Sequence, residues 1–270
     1  MNDQRAFPTI RKTEAEREAA ADSPAAREAF SWADAQARLA WLPGGGLNIA
    51  CEAVDRHLPE HADTVAIRWL GRDNSRHEIT YGALAADAAR FANVLAAHGV
   101  GRGDRLFTLM GRVPALYVAT LGAFKAGLVV SPLFAAFGPE PVRARMQIGE
   151  ASVLVTNASL YRRKVADWRD DLPSLKLVLI VDDEAPEGCM ALGPAMAAAS
   201  DTFKAVATDA EDMALLHFTS GTTGKPKGVV HVHGAVVAHI ETGRLALDMR
   251  PGDIYWCTAD PGWVTGMSYG

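Results

Sequence analysis

An α/β fold, with largely parallel sheets and flanking helices, is what this sequence predicts, and three observations predict it. From residue 63 onward, strand-length apolar runs alternate with stretches whose apolar residues recur at helical spacing. Prolines and glycines punctuate the pattern, as Pro114 opening and Gly127 closing one helical stretch show. Several strand-length runs are apolar throughout, as strands buried within a domain are. Such alternation implies βαβ units, and right-handed crossovers place helices over the sheet's faces.

The elements follow in order. Residues 13–42, rich in Ala, Glu and Arg, read as surface helices broken at Pro24, and Pro43-Gly44-Gly45-Gly46 reads as a stop and a hinge. The expected division is an N-terminal helical segment and linker over 1–46 and a main domain over 47–270. Residues 64–70 and 78–81 read as strands joined by a turn at 71–74. Leu84, Ala88, Phe91 and Leu95 share one face of a helix that Gly99 caps. Residues 104–110 form the next expected strand, and a helix runs from Pro114 to Gly127. Strand 128–132, helix 141–148, strand 153–156, helix 160–168 and strand 175–181 continue the alternation. Residues 182–209 read as a surface excursion with one short helix, and 213–218 returns to a strand.

Composition narrows the function. The 270 residues are 49% hydrophobic and 22% charged, ordinary values for a soluble globular protein with a sizeable core. A net charge of −5 supplies no basic footprint for nucleic acid, so no nucleic-acid partner is expected. Cys51, Cys189 and Cys257 lack metal-ligand spacing and read as reduced thiols. Residues 1–10 contain no apolar signal core. The apolar stretch 116–137 is interrupted by Lys125, Gly127 and Pro132, which fits a buried helix and strand rather than a membrane span. A cytoplasmic protein with no membrane partner is expected.

The chemistry concentrates in Thr219-Ser220-Gly221-Thr222-Thr223-Gly224-Lys225-Pro226-Lys227-Gly228, between the apolar runs 214–218 and 229–232. Its glycines let the backbone approach a ligand closely. Consecutive amides there can form an anion-binding nest. Hydroxyls at Thr219, Ser220, Thr222 and Thr223 can donate to phosphate oxygens, and Lys225 and Lys227 add positive charge. The loop is not a Walker A motif, because Thr219 stands where the first glycine belongs and Pro226 replaces the metal-binding Ser/Thr. Pro226 also lacks an N–H, which breaks the donor series of a phosphate-binding helix start. The competing reading is a plain glycine-rich hairpin turn.

The run 216–229 resembles the phosphate-binding signature of the acyl-adenylate-forming enzymes, which include acyl-CoA synthetases, luciferases and peptide-synthetase adenylation domains. The segment from Asp253 to Gly266, with its Asp260-Pro261-Gly262-Trp263-Val264-Thr265 run, resembles the acetyl-CoA synthetase branch, and Asn48-Ile49-Ala50 fits the same branch. Residues 47–270 are therefore read as part of the N-terminal domain of an adenylate-forming enzyme. The resemblance implies ATP-dependent activation of a short carboxylic acid, acetate favoured, to acyl-AMP and then acyl-CoA.

The same resemblance assigns roles. Thr219, Lys225 and Lys227 form the catalytic set, and Thr219, Ser220, Gly221, Thr222, Thr223, Gly224, Lys225 and Lys227 hold the ATP phosphates. Mg2+ bridges phosphate oxygens, with no protein residue assigned to hold it. Trp263 and Val264 line the acyl pocket, or are core residues at a strand end. Thr265 and Arg162 contact CoA, or are a turn hydroxyl and a solvated helix face. The turn from Phe134 to Phe137 lies near CoA in the family. This sequence departs at Ala135 and Ala136, where glycines are usual, and at Val165, where a second arginine is expected. Arg162, Arg163 and Lys164 read as the start of a helix, Tyr255 and Trp256 as core, and His217, His231, His233 and His239 as satisfied structural histidines rather than zinc ligands.

The family's adenine loop, ribose-binding aspartate, acyl-pocket gate and small C-terminal domain with its lysine find no match up to Gly270. The chain is expected to act within a longer enzyme, with a C-terminal domain as its partner. Alone it is expected to be inactive and poorly soluble. A ligase for propionate or a larger acid, and a non-catalytic nucleotide- or CoA-binding module, remain as alternatives.

Overall fold

A computed structural model describes residues 11, 13–18, 23–220 and 225–269. The chain forms two units, Met1–Leu39 with Val237–Tyr255, and Ala40–Val236 with Trp256–Gly270.

The first unit contains the short helices α1 (Glu14–Glu18), α2 (Pro24–Glu28) and α3 (Trp32–Ala37). Pro24 starts the second of these helices. It occupies the first turn of α2, where its missing N–H has no partner to lose, and Ser23 caps the turn by accepting from the Ala26 N–H. Within this unit the buried Glu241 carboxylate takes ion pairs from Arg38 and, at 2.9 Å, from Arg244.

The second unit opens with α4 (Ile49–Ala53) and α5 (Leu58–His61), then an antiparallel pair, β1 (Val65–Leu70) and β2 (Arg76–Thr80). The alternating core follows as α6 (Tyr81–Ala97), β3 (Arg105–Leu109), α7 (Pro114–Lys125), β4 (Val129–Pro132), α8 (Pro139–Ile148), β5 (Val153–Thr156), α9 (Ala158–Lys164) and β6 (Leu177–Ile180). The excursion after β6 contains β7 (Met190–Ala191) and α10 (Leu192–Ala198). It is followed by β8 (Met213–Ser220), β9 (Pro226–Val232) and α12 (Val264–Ser268), while α11 (Val236–Leu245) belongs from Val237 onward to the first unit.

Seven strands form one sheet in the order β7-β6-β5-β3-β4-β8-β9. All neighbours are parallel except β8 and β9, so the expected α/β architecture with a largely parallel sheet is what the chain adopts. The chain passes from β3 to β4 on one side and then crosses to β5 on the other side of β3. Such a reversal opens a crevice beyond the carboxyl ends of the strands, where open α/β sheets bind ligands.

Burial follows from residue order. In β3, Leu106 belongs to the core on one face with Phe91, Leu95, Leu116 and Val130. Phe107 belongs to the core on the other face with Val142, Met146 and Leu154. Both are fully buried, as a strand covered on both sides requires. Each such side chain contributes roughly 1.5–3 kcal/mol of apolar burial. The helix ends are set locally. After α6, Gly99 adopts φ +66° while the Val100 and Gly99 N–H groups donate to Leu95 and Ala96. After α7, Gly127 at φ +74° repeats the arrangement with Leu128 and Ala123. Lys125, nearly buried at the end of α7, is neutralised by Asp55 at 2.9 Å. Among the described residues, no helix is long and apolar enough to cross a membrane.

The expected helix 160–168 is shorter. It ends at Lys164, and Trp168 leaves helical geometry with φ −134° in a following 3-10 segment. Arg162, Arg163 and Lys164 consequently form the last turn of α9, not its start, where cations complement the helix dipole. Tyr255 and Trp256 are not core either, since Trp256 is 80% exposed and Tyr255 42%.

α6 and α7 cross closely because Gly122 has no side chain. A Cβ there would lie 2.6 Å from the Ala88 carbonyl oxygen and 2.9 Å from the Phe91 Cβ. Gly122→Ala is expected to destabilise the protein by about 1–3 kcal/mol through overpacking. Urea unfolding of the two forms measures this, and equal midpoints would show that the helices have room to part.

Candidate functional site

β3, β4, β5 and β6 run parallel and β8 runs parallel to β4, so their carboxyl ends share one edge of the sheet. Thr219 lies near the end of β8 and Arg162 on α9, which follows β5, whereas Trp263, Val264 and Thr265 come from a later segment at and within α12.

The phosphate-loop segment is the connection of a β-hairpin. β8 and β9 pair as far as Thr219 opposite Lys227 and Ser220 opposite Pro226. Pro226 begins β9 at the sheet margin, one of the few strand positions that tolerate a residue without an N–H. Gly221, Thr222, Thr223, Gly224 and the side chain of Ser220 lie outside the described residues. Thr219, Lys225 and Lys227 are exposed at the base of the turn. Among the described residues, neither lysine pairs with a carboxylate. A hydroxyl and an ammonium thus face each other across two paired strands, a geometry with charge to offer an anion.

The hairpin is anchored to the core from beneath. Val130 of β4 is opposite Leu215 of β8, and the buried Ser131 hydroxyl donates to the Leu216 carbonyl at 2.8 Å. The Phe218 ring stands 6.3 Å from Phe107. His217 is 2% exposed, its Nε2 has no hydrogen-bond partner among the described residues, and burial, aided by His231 at 5.9 Å between rings, lowers its pKa to about 4. His233, which follows β9, is fully buried. Its Nδ1 accepts the Ile49 N–H at 3.1 Å while Nε2 finds no partner among the described residues, and burial again lowers its pKa to about 4. These two rings were expected to be satisfied. Instead burial holds each ring neutral, and one nitrogen of each has no partner among the described residues.

The second group forms around the turn after β4. Asp260 makes an Asx turn, its Oδ1 accepting from Gly262 N–H at 2.8 Å and its carbonyl from Trp263 N–H at 2.9 Å. Gly262 lies so near Leu133 and Phe134 that any Cβ would collide with their backbone. Trp263 then lies 5.9 Å from the Phe134 ring, and Phe134 meets Phe137 edge-on at 5.4 Å. Trp263 and Val264 open α12 with 56% and 41% exposure, so neither is core at a strand end. Thr265 is exposed within α12. Arg112, following β3, donates to the carbonyls of Thr258 and Ala259 at 2.5 and 3.3 Å. This fixes the approach to the Asp260 turn.

Arg162 projects from the last turn of α9 and is exposed. Its neighbour Lys164 reaches back to the turn after β4, donating from Nζ to the Ala135 and Phe137 carbonyls at 2.6 and 2.5 Å. Arg145 stacks 4.3 Å from the centre of the Phe137 ring. The structure therefore joins Trp263 to Phe134 directly, and joins the helix of Arg162 to the same turn through Lys164. The anchoring roles of Arg112, Ser131, Lys164 and the Asp260 carboxylate were not read from the sequence. Only Asp260 carried a local signal, the Asp-Pro-Gly order of a turn.

Residues 54–270 match the family of AMP-binding enzymes, and the chain belongs to that family. It is 42% identical to an acetyl-coenzyme A synthetase of Bacillus subtilis over 246 residues, covering 89% of this chain and 42% of that protein. It is 38% identical to an acetyl-coenzyme A synthetase of Sodalis glossinidius, covering 86% of this chain and 38% of that protein. The chain thus spans about two fifths of the length of these relatives. The crystal structure of an acyl-CoA synthetase from Brucella canis superposes with a TM-score of 0.82 at 35% identity, over 90% of this chain and 44% of that one. An anthranilate CoA ligase in complex with anthranoyl-AMP shares the fold, with a TM-score of 0.67 at 23% identity.

The two buried histidines set a pH dependence of stability. Both pKa values lie below the ordinary 6.5, so the unfolded chain binds more protons between about pH 6.5 and 4. Their contribution is complete above pH 6.5 and is lost as pH falls through 4. The expected slope in that window is roughly 1.4 kcal/mol per pH unit for each histidine. Urea unfolding between pH 7 and pH 4.5 should show His217→Gln less acid-sensitive than the parent chain, and parallel curves would contradict this.

Proposed function

We propose that this chain supplies the phosphate-binding part of an enzyme that activates a short carboxylic acid with ATP, forming acyl-AMP and then acyl-CoA. The observation that carries the reading is the hairpin that sets Thr219 opposite Lys227 at the carboxyl edge of the parallel strands, with Lys225 in the connection. Family membership supports adenylate chemistry, and the acetyl-coenzyme A synthetases among its relatives favour acetate.

In this reading Ser220, Gly221, Thr222, Thr223 and Gly224 supply amides and hydroxyls to the β- and γ-phosphates. Lys225 and Lys227 offset the charge that accumulates on departing pyrophosphate. Magnesium fits as a passenger on the phosphates, because the described base of the turn offers a hydroxyl and ammonium groups but no carboxylate. Bound there, it would neutralise phosphate charge. Trp263 and Val264 wall the acyl group, while Thr265 and Arg162 face CoA. The reaction belongs in the cytoplasm, where ATP and CoA are supplied.

The test uses the longer enzyme carrying these residues, with acid-dependent exchange of pyrophosphate into ATP as the readout. The double substitution Lys225→Ala with Lys227→Ala is expected to lower exchange by about a hundredfold or more, on the scale of lost preorganised electrostatic donors. Acetate should be exchanged faster than longer acids. An unchanged rate in the double variant would refute the phosphate assignment, and a preference for longer acids would refute the acetate assignment.

A further inference from the structure

We propose that Lys164 is a specificity-determining positioning residue, clamping the turn after β4 so that Phe134 stays against Trp263 and keeps the acyl site small. The inference rests on the assignment of Trp263 to the acyl pocket, and it deepens that assignment.

The ammonium of Lys164 donates to two carbonyls, Ala135 at 2.6 Å and Phe137 at 2.5 Å. These carbonyls bracket Ala136, so one side chain fixes both ends of a three-residue arc. The group is lowered in pKa, first by burial and then by Arg163, and among the described residues no carboxylate pairs with it. A cation that gives up solvent for two carbonyls rather than an acid is spent on holding backbone. Arg145 reinforces the same arc. Its residue is 8% exposed, its guanidinium lies over the Phe137 ring, and its one described hydrogen bond returns to the Pro141 carbonyl at 2.9 Å. Two cations from two helices, α8 and α9, therefore hold a single turn.

The turn matters because of what stands on it. Phe134 is half-buried and touches Trp263 on one side and Phe137 on the other. Gly262 lets the Trp263 turn rest directly on the Leu133–Phe134 backbone. A shift of Ala135 or Phe137 is thus passed to Phe134 and so to the face of Trp263. Lys164 acts through Phe134 and touches no acyl atom.

The ratio of kcat/KM for propionate to that for acetate, in pyrophosphate exchange by the complete enzyme, reads this directly. Lys164→Met keeps the aliphatic stem and removes the donor; it should raise the ratio about fivefold or more, mostly through the KM for acetate. Phe134→Ala, which leaves the clamp in place, should shift the ratio in the same direction. Lys164→Arg should restore most of the original preference. A merely structural loss lowers both acids in proportion, so an unchanged ratio in Lys164→Met and Phe134→Ala overturns the proposal. If the unsubstituted enzyme exchanges pyrophosphate with neither acid, the activation reading itself falls, and the clamp with it. Normal exchange with an unshifted ratio removes the clamp alone.

Discussion

The junction between β4 and β8 is the constraint on which the site depends. β4 is buried along its whole length, and it meets β8 through one ladder pair and the bond from Ser131 to the Leu216 carbonyl. Beyond Leu216 the strand, with His217, Phe218 and Thr219, is held by this short contact on one side and by the β9 ladder on the other. Ser131 is wholly buried, so losing its partner would leave a hydroxyl unsatisfied in the interior, at a cost of about 1–3 kcal/mol. The turn that bears Phe134 begins two residues after β4 ends. The phosphate hairpin and the aromatic pair thus share one foundation.

Much of the fold was legible because each helix and strand carries its own punctuation. Pro114 and Gly127 bracket α7, Gly99 ends α6, and the apolar stripe Leu84, Ala88, Phe91 and Leu95 lies buried as its spacing dictates. Errors arose where tertiary partners override local pattern. Trp168 reads as helical by neighbourhood, yet the backbone departs from the helix there. Trp256 and Tyr255 read as core by side-chain type, yet both are exposed. An aromatic residue's burial depends on what packs against it, which spacing along one segment does not reveal.

The site was legible in a different way. Glycines, hydroxyls and lysines between two apolar runs mark the hairpin because anion binding needs those groups close in sequence. The groups that position it come from afar. Arg112 reaches Thr258 across 146 residues, and Lys164 reaches Ala135 across 29. Neither pairing has a sequence signature, since an arginine or lysine on a helix or loop is usually a solvated charge. Long-range hydrogen bonds to carbonyls can be found only once the backbone is placed.

Asn48 shows how far such reach extends. Its side chain caps α4 and donates to the Phe124 carbonyl at 2.7 Å, with Val206 and Thr208 as further acceptors. The next residue, Ile49, gives its N–H to His233. These bonds close loops of 76 to 184 residues, the most entropically expensive kind of contact for a growing chain to make. On the ribosome α4 can meet α7 once residue 124 has emerged, but the Ile49 N–H waits for His233. The first helix of the second unit therefore completes its contacts in two stages, the later one waiting on the residue that follows β9.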